Sequence, residues 1–228
     1  MPKTAVLVHG AWHGAWCWEL VVPELAARGI DAVTVDLPSV QRPGASVADD
    51  ADEVRRAIDA VDGPVVLVGH SYGGAVVTEA GTHPKVQHVV YVTAFALDDG
   101  ESVSSNALVG GESMRLVEAL VFDGEVSTVD PDRATEFFFH DCAPDVAAAA
   151  VARLRPMSME AMRTAPRSVA WKDKPATYIV CTDDRGVPVA LQRSAAARCA
   201  ATVEIHTSHS PFLSDPQLLA ETLAPFFE

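Results

Sequence analysis

One serine in this chain lies in a setting that is typical of a nucleophile. Ser71 is the centre of Gly69-His70-Ser71-Tyr72-Gly73, which matches the pattern Gly-x-Ser-x-Gly and is followed at once by Gly74. An apolar run precedes the motif and a helical pattern follows it, so Ser71 is expected on a sharp turn from a strand into a helix. Such a turn strains the serine backbone and leaves room only for glycine two residues before and after it. The motif predicts attack by a serine hydroxyl on a carbonyl carbon, the alternative being a serine that merely caps the helix.

A serine hydroxyl needs a base, and the chain has eight histidines. In enzymes with a nucleophile on this kind of turn, the acid and then the histidine follow the serine along the chain. That order leaves His206 and His209, because the others precede Ser71, flank the next strand or lie in a long insertion. His206 falls within the predicted last strand and is expected to be a packed structural histidine. His209 is the predicted base, because the loop Ser208-His209-Ser210-Pro211-Phe212 lies just past that strand.

The acid that orients the base is expected in the loop after the preceding strand. Residues 182–188 (TDDRGVP) offer Asp183 and Asp184 there, and Asp184 is the predicted acid because it lies one residue farther into the loop. Asp98 and Asp99, after an earlier strand, are the alternative, although surface loops also collect aspartates for turn formation alone.

The oxyanion formed by attack on a carbonyl needs two backbone N–H donors. Tyr72, directly after the nucleophile, is predicted to supply one donor. Ala11, in the loop after the first strand, is predicted to supply the other. Trp12 is predicted to form a wall of the acyl pocket, the alternative being that it only packs against a cap.

Short apolar strands alternate with helical patterns along much of the chain. Strands are predicted over residues 4–8, 31–36, 65–68, 88–95, 176–181 and 202–206, and helices over 13–28, 46–60, 72–82, 189–199 and 215–227. Continuous apolar strands that alternate with helices are typical of a parallel sheet covered on both faces. The alternation lapses over residues 97–174, where polar loops and helical stretches are predicted. We therefore expect one α/β core (1–96 and 175–228) with residues 97–174 inserted as a small cap over the strand ends, where open parallel sheets bind ligands.

Composition narrows the possible partners. The 228 residues carry a formal net charge of −14, with 49% hydrophobic and 21% charged residues, which is an ordinary globular balance. A surface this negative repels phosphate backbones and anionic lipid, so neither nucleic acid nor a membrane is expected as a partner. The four scattered cysteines lack metal-ligand spacing and indicate reduced thiols, and no signal peptide is recognised at the N-terminus. We expect a soluble cytoplasmic protein; its oligomeric state is left open between a monomer and a homodimer.

Several segments resemble the α/β-hydrolase superfamily, within it the branch of plant methylesterases, plant hydroxynitrile lyases and their bacterial relatives. They are HGAWHGAWCWELVVPELAARGIDAVTVDLP, VLVGHSYGGAVV, YVTAFALDDG, YIVCTDDRGVP and SHSPFL, with FFFHDC and Leu154-Arg155-Pro156 in the insertion. The resemblance implies Ser71, Asp184 and His209 as a catalytic triad, with the Ala11 and Tyr72 amides as the oxyanion hole. Lyases of this branch resemble one another in a threonine and a lysine at the positions of Gly10 and Ser210, so the resemblance favours an esterase here.

The predicted reaction is hydrolysis of a small, largely apolar ester or lactone through an acyl-enzyme, without metal or organic cofactor. Trp12, Phe138 and Phe212 are the predicted substrate-binding residues. Phe138 lies in the insertion, whose phenylalanines and methionines could line an apolar cleft. Two other readings stay open: a non-hydrolytic small-ligand receptor, and a cofactor-free oxygenase that uses only the His–Asp pair.

Overall fold

The computed structural model describes residues 2–106 and 114–228. Within them the strands, in chain order, are β1 (Thr4–Val8), β2 (Ala32–Val35), β3 (Val65–His70), β4 (Val86–Val92), β5 (Leu120–Asp123), β6 (Val126–Val129), β7 (Met157–Ser158), β8 (Ala176–Cys181) and β9 (Ala201–Ile205). The α-helices are α1 (Val21–Ala26), α2 (Val47–Ala60), α3 (Gly73–Ala80), α4 (Val103–Asn106), α5 (Pro131–Phe138), α6 (Pro144–Val151), α7 (Met159–Arg163), α8 (Val189–Ala196), α9 (Pro211–Ser214) and α10 (Pro216–Leu223). Short 3-10 turns cover Ala15–Trp18, Pro38–Val40, Arg115–Ala119, Ala170–Lys172 and Ala224–Phe227.

The core is a six-stranded parallel sheet in the order β2-β1-β3-β4-β8-β9. Every residue of β3 and β8 is buried, as expected of strands covered on both faces. In β1, Val6 and Val8 point into one apolar core with α2 and α3, whereas Ala5 and Leu7 point into a second core with α1 and α10. The alternation of side chains along each strand therefore divides the apolar residues between two layers of helices.

The region between β1 and β2 departs from the predicted helix over 13–28. Residues Ala15–Trp18 form a 3-10 turn, and α1 covers only Val21–Ala26. Pro23 explains the difference, because proline lacks an N–H and is tolerated only in the first turn of a helix. A helix that began near residue 13 would have placed Pro23 in its interior.

A second, smaller sheet lies in the segment that the sequence predicts to contain only loops and helices. Strands β5, β6 and β7 pair antiparallel in that order. The prediction is wrong here because these strands are short and β5 is mostly exposed, so no continuous buried run marks them. Within residues 97–174 this sheet is accompanied by α4, α5, α6 and α7.

The carboxyl ends of five parallel strands bring together residues that are far apart in the chain. Ala11 follows β1, Ser71 follows β3, Thr93 follows β4, Asp184 follows β8 and His209 follows β9. Because parallel strands all point the same way, these five residues lie along one edge of the sheet. None of the helices within residues 2–106 and 114–228 is long and apolar enough to cross a bilayer.

Candidate active site

Ser71 occupies the tight turn between β3 and α3. Its φ is +51°, in the left-handed region that non-glycine residues rarely adopt. Close packing explains the two motif glycines: a Cβ on Gly69 would lie 2.6 Å from Val77 Cγ2, and one on Gly73 would lie 2.6 Å from the His9 carbonyl oxygen. The strained backbone is held because the Ser71 N–H donates to Val92 O (3.2 Å) and its carbonyl accepts from two later amides.

Asp184 and His209 form a buried pair at the ends of β8 and β9. His209 Nδ1 donates to Asp184 Oδ2 at 2.7 Å, and both side chains are almost fully buried. This bond leaves His209 Nε2 as the nitrogen that can accept a proton. The Ser71 hydroxyl makes no hydrogen bond to His209 or to any other residue of the described ranges. Catalytic hydrogen bonds are often long in unliganded enzymes and tighten when substrate binds.

The Asp184 carboxylate accepts four further hydrogen bonds. Its Oδ1 accepts from the Gly186 N–H (2.7 Å) and the Val187 N–H (2.9 Å). Its Oδ2 accepts from Thr93 Oγ1 (2.5 Å) and Gln192 Nε2 (3.2 Å) as well as from His209. These donors hold the carboxylate in one orientation. Thr93 and Gln192 are not among the residues predicted from the sequence. Thr93 directly follows β4 with a φ of +40°, a backbone irregularity at which the strand ends earlier than predicted.

The alternative acids and the alternative base lie away from this pair. Asp183 is about half exposed, and Asp98 and Asp99 pair with Lys172 at the surface. His206 lies beyond the end of β9 and is exposed, with Nδ1 3.1 Å from Thr182 Oγ1. The prediction that His206 is a packed histidine is therefore wrong, because the strand ends one residue before it.

His70, the residue before the serine, holds the loop that carries His209. His70 Nε2 donates to the His209 carbonyl oxygen at 2.8 Å, and the two ring centroids are 4.7 Å apart. Burial lowers the pKa of His70 well below its usual value, so this ring stays neutral. A neutral ring that donates through Nε2 positions the base without competing with it for a proton.

Two backbone amides of residues that line the Ser71 cavity have no acceptor in the described chain. The Ala11 and Tyr72 N–H groups donate to no residue within 2–106 and 114–228, and both residues line the same cavity as Ser71. Since buried N–H groups are almost always paired, two unpaired ones beside a strained serine are available to an oxyanion.

The cavity next to Ser71 has a volume of about 250 Å³. Its walls are mostly apolar, and no charged side chain of the described ranges lines it; besides Ala11, Trp12, Ser71 and Tyr72, they are formed by Phe95, Val103, Ser104, Met114, Leu116, Val117, Leu120, Phe122, Ser127, Met159 and Met162. Trp12 Nε1 donates to Ser127 Oγ at 3.2 Å, which joins the loop after β1 to β6.

The cavity walls differ from the sequence prediction at Phe138 and Phe212, which do not line it. Phe138 packs behind the base, with its ring centroid 5.5 Å from that of His209. Phe212 is fully buried in the second apolar core, against His70 and Trp18. Most wall residues come instead from α4, from residues 114–127 and from α7, where the sequence shows only scattered apolar residues.

Asp50 is a fully buried carboxyl that bonds the side chain of Tyr72. Its Oδ2 accepts from the Tyr72 hydroxyl (2.5 Å) and its Oδ1 from the Ser39 N–H (2.9 Å). Burial raises the pKa of Asp50 to about 6, above the value of about 3.9 expected in the unfolded chain. The folded protein therefore holds this proton more tightly, and the contribution of Asp50 to stability is lost as pH rises from about 4 to about 6.

We expect Asp50→Asn to remove this loss, because asparagine stays uncharged and can still bond both partners. The difference in the free energy of unfolding, variant minus wild type, should be about 1–3 kcal/mol larger at pH 7.5 than at pH 4, measured by urea denaturation at both pH values. Asp49→Asn is the control of opposite sign, since hydrogen bonds from Ser46 lower the pKa of Asp49 and its contribution is lost as pH falls. A difference for Asp50→Asn that does not change with pH would contradict the assignment.

No group of three or more His, Cys, Asp or Glu side chains within residues 2–106 and 114–228 is arranged to hold a metal ion. The site therefore consists of a strained serine, a buried His–Asp pair, two free amides and an apolar cavity.

Comparison with known proteins adds a family to this geometry. Residues 5–222 match the model of the alpha/beta hydrolase family. The chain is 30% identical to the alpha/beta hydrolase nvfD of Aspergillus novofumigatus, over 98% of this chain and 96% of that protein. It is 28% identical to salicylic acid-binding protein 2 of Nicotiana tabacum, over 97% and 95% of the two chains.

Among solved structures, a pyrethroid hydrolase from Sphingobium faniae superposes with a TM-score of 0.87 at 28% identity, covering 98% of this chain and 96% of that one. These similarities confirm the predicted fold class and the resemblance to the branch that holds the plant methylesterases. The chain belongs to the alpha/beta hydrolase family.

Proposed function

We propose that the protein is a carboxylesterase that hydrolyses a small, uncharged, largely apolar ester or lactone. The observation that carries this proposal is the convergence of the strained Ser71, the Asp184–His209 pair and the free Ala11 and Tyr72 amides at one apolar cavity. The names of relatives support the same class: they include methylesterase 1 of Arabidopsis thaliana and a pyrethroid hydrolase of Sphingobium wenxiniae.

The mechanism is acyl transfer to water. His209 Nε2 takes the proton of the Ser71 hydroxyl as its oxygen attacks the ester carbonyl, and the Ala11 and Tyr72 amides donate to the oxyanion. His209 returns the proton to the departing alcohol, which leaves an acyl-enzyme on Ser71. Water then attacks the acyl group with His209 again as base, and the acid is released.

The cavity favours a neutral substrate. A carboxylate placed there would lose its hydration without meeting a charged partner from the described walls, which costs several kcal/mol. The volume of about 250 Å³ also lies below the range of about 300–1,000 Å³ that is usual for ligand sites, so a compact substrate is favoured.

The surroundings of Gly10 favour ester hydrolysis over cyanohydrin cleavage. A Cβ at this position would lie 2.8 Å from His70 Nδ1 and 2.9 Å from Ser71 Cβ. The threonine of the lyases would therefore require the nucleophile turn to move. Ser210, at the position of the lyase lysine, is fully buried and provides no cation.

A matched pair of esters tests the substrate class. We expect methyl valerate to be hydrolysed with a kcat/KM at least about 10²-fold above that of monomethyl glutarate, which is similar in size but ends in a carboxylate. A fluorophosphonate probe should label the wild type, and peptide mapping should find the label on Ser71. Equal rates for the two esters would contradict the neutral substrate, and an unlabelled protein that binds but does not hydrolyse esters would indicate a receptor.

A further inference from the structure

The loop after β1 is held from outside the core by a residue of the inserted segment. We call residues 10–14 the β1 loop; it carries Ala11, which lines the same cavity as Ser71 and whose N–H donates to no residue of the described ranges. The Arg155 N–H donates to the Trp12 carbonyl oxygen at 2.8 Å. Its guanidinium donates to the His13 carbonyl oxygen through Nε (3.3 Å) and Nη2 (3.2 Å). Arg155 therefore bonds two consecutive carbonyl groups that follow the Ala11 residue.

The same guanidinium is fixed from the other side by Asp36, which follows β2. Arg155 Nη2 lies 2.6 Å from Asp36 Oδ1, and this oxygen also accepts from the Ala15 N–H at 2.8 Å. Asp36 and Arg155 together bond Trp12 and His13 in the β1 loop and Ala15 directly after it. A planar guanidinium suits this arrangement, because its N–H groups point to two acceptors in a fixed geometry.

Gly14 shows how closely the guanidinium packs on the loop. A Cβ at this position would lie 1.9 Å from Arg155 Nη2. The φ of Gly14 is −160°, an extended conformation that any residue adopts, so its backbone does not require glycine. Glycine is required at this position because the Arg155 guanidinium occupies the space that a side chain would need.

The β1 loop needs such support because its backbone is strained at Trp12, directly after the residue that carries the Ala11 amide. Trp12 has a φ of +61°, a conformation that costs free energy for a bulky residue and persists only when the surroundings enforce it. Relaxation of this strain would move the loop backbone, including the neighbouring Gly10–Ala11 peptide group that carries the Ala11 N–H.

We propose that Arg155 is a positioning residue that keeps the Ala11 amide directed at the oxyanion. The inference rests on the proposed function, since an oxyanion forms only if Ser71 attacks a carbonyl. It joins the inserted segment to the reaction through the backbone of the β1 loop, without any contact between Arg155 and the substrate.

Arg155→Ala tests the proposal, with Arg153→Ala as the matched control. Arg153 also joins the inserted segment to the core, through two hydrogen bonds to Glu19 (2.7 and 2.8 Å), but it does not bond the β1 loop. We expect Arg155→Ala to lower kcat about 10- to 100-fold with KM changed less than about threefold. The reason is that a misdirected N–H donor no longer stabilises the oxyanion, whose charge develops in the transition state and not in the bound substrate. The Ki of a trifluoromethyl ketone, which forms an oxyanion on the serine, should rise by the same factor. Arg153→Ala should change neither quantity more than about threefold.

Gly14→Ala is a second variant that does not remove the arginine, because its methyl group displaces the guanidinium. It should lower kcat and weaken the ketone in the same proportion, and it decides the question if Arg155→Ala does not fold. Unchanged kcat in these variants, a loss confined to KM, or an equal loss in Arg153→Ala would overturn the positioning role. If Ser71→Ala is inactive while Arg155→Ala turns over normally, only this inference fails; if Ser71→Ala keeps its activity, the proposed function fails with it.

Discussion

Ser71→Ala is expected to lower kcat for ester hydrolysis by a factor of about 10⁴–10⁶, while product and substrate analogues still bind. The loss follows from removal of the atom that forms the acyl-enzyme. The residual rate reflects the Ala11 and Tyr72 amides and the cavity, which still act on a carbonyl attacked by water. Alanine takes up the φ of +51° at the same cost as serine, so the turn should keep its shape.

Turnover measured with excess enzyme, together with fluorophosphonate labelling, checks this expectation. The variant should remain unlabelled and should unfold within about 1 kcal/mol of the wild type, which shows that the loss is chemical. A residual rate above about 1% of the wild type would point to a different mechanism, in which His209 activates water directly. That outcome would leave the His–Asp pair in use and remove the covalent step.

Much of this site could be predicted because its main residues follow strands that the sequence marks clearly. Ser71 has a motif, Asp184 follows the apolar strand β8, and His209 follows the short strand β9, all at the carboxyl edge of the sheet. The chain order of the three residue types then restricts the choice to a few candidates. The structure brings Asp184 and His209 to 2.7 Å although they are 25 positions apart.

The supporting residues could not be predicted in this way. Thr93 reaches Asp184 across 91 positions, and Gln192 reaches it from inside α8; neither residue type marks a site by itself. Arg155 is one of several arginines in the inserted segment, and only the three-dimensional structure shows that it bonds the β1 loop. Such contacts depend on how elements pack, which local patterns do not encode.

The cavity could also be predicted only in part. The sequence indicates that an insertion rich in apolar residues covers Ser71, but it does not show which of those side chains face the cavity. The predicted phenylalanines pack inside the protein and do not line the cavity. Phe138 and Phe212 are among the most buried side chains, because large rings stabilise most when they pack on all sides. The walls are left to residues such as Met159 and Met162, whose flexible side chains fit an irregular surface.

Asp184→Asn is expected to lower kcat by about 10³–10⁴-fold, although the substitution changes only one atom of the side chain. The asparagine oxygen must take the Oδ1 position, since the Gly186 and Val187 amides both donate there. Its NH₂ group then faces His209 Nδ1, which must become an acceptor. The imidazole proton moves to Nε2, and the nitrogen that should accept the Ser71 proton already carries one.

Asp183→Asn is the matched control, because Asp183 is the neighbouring residue and its side chain is about half exposed. It should keep kcat within about twofold, whereas Asp184→Asn should lose both kcat and the rate of fluorophosphonate labelling by similar factors, because both reactions need the same proton transfer. The NH₂ group also meets the Gln192 donor, so a loss of about 1–3 kcal/mol in the free energy of unfolding should accompany the change. A large loss of stability with kcat preserved would show that Asp184 ties the loops together without setting the tautomer of His209, and the acid would then have to be sought elsewhere along the carboxyl edge of the sheet.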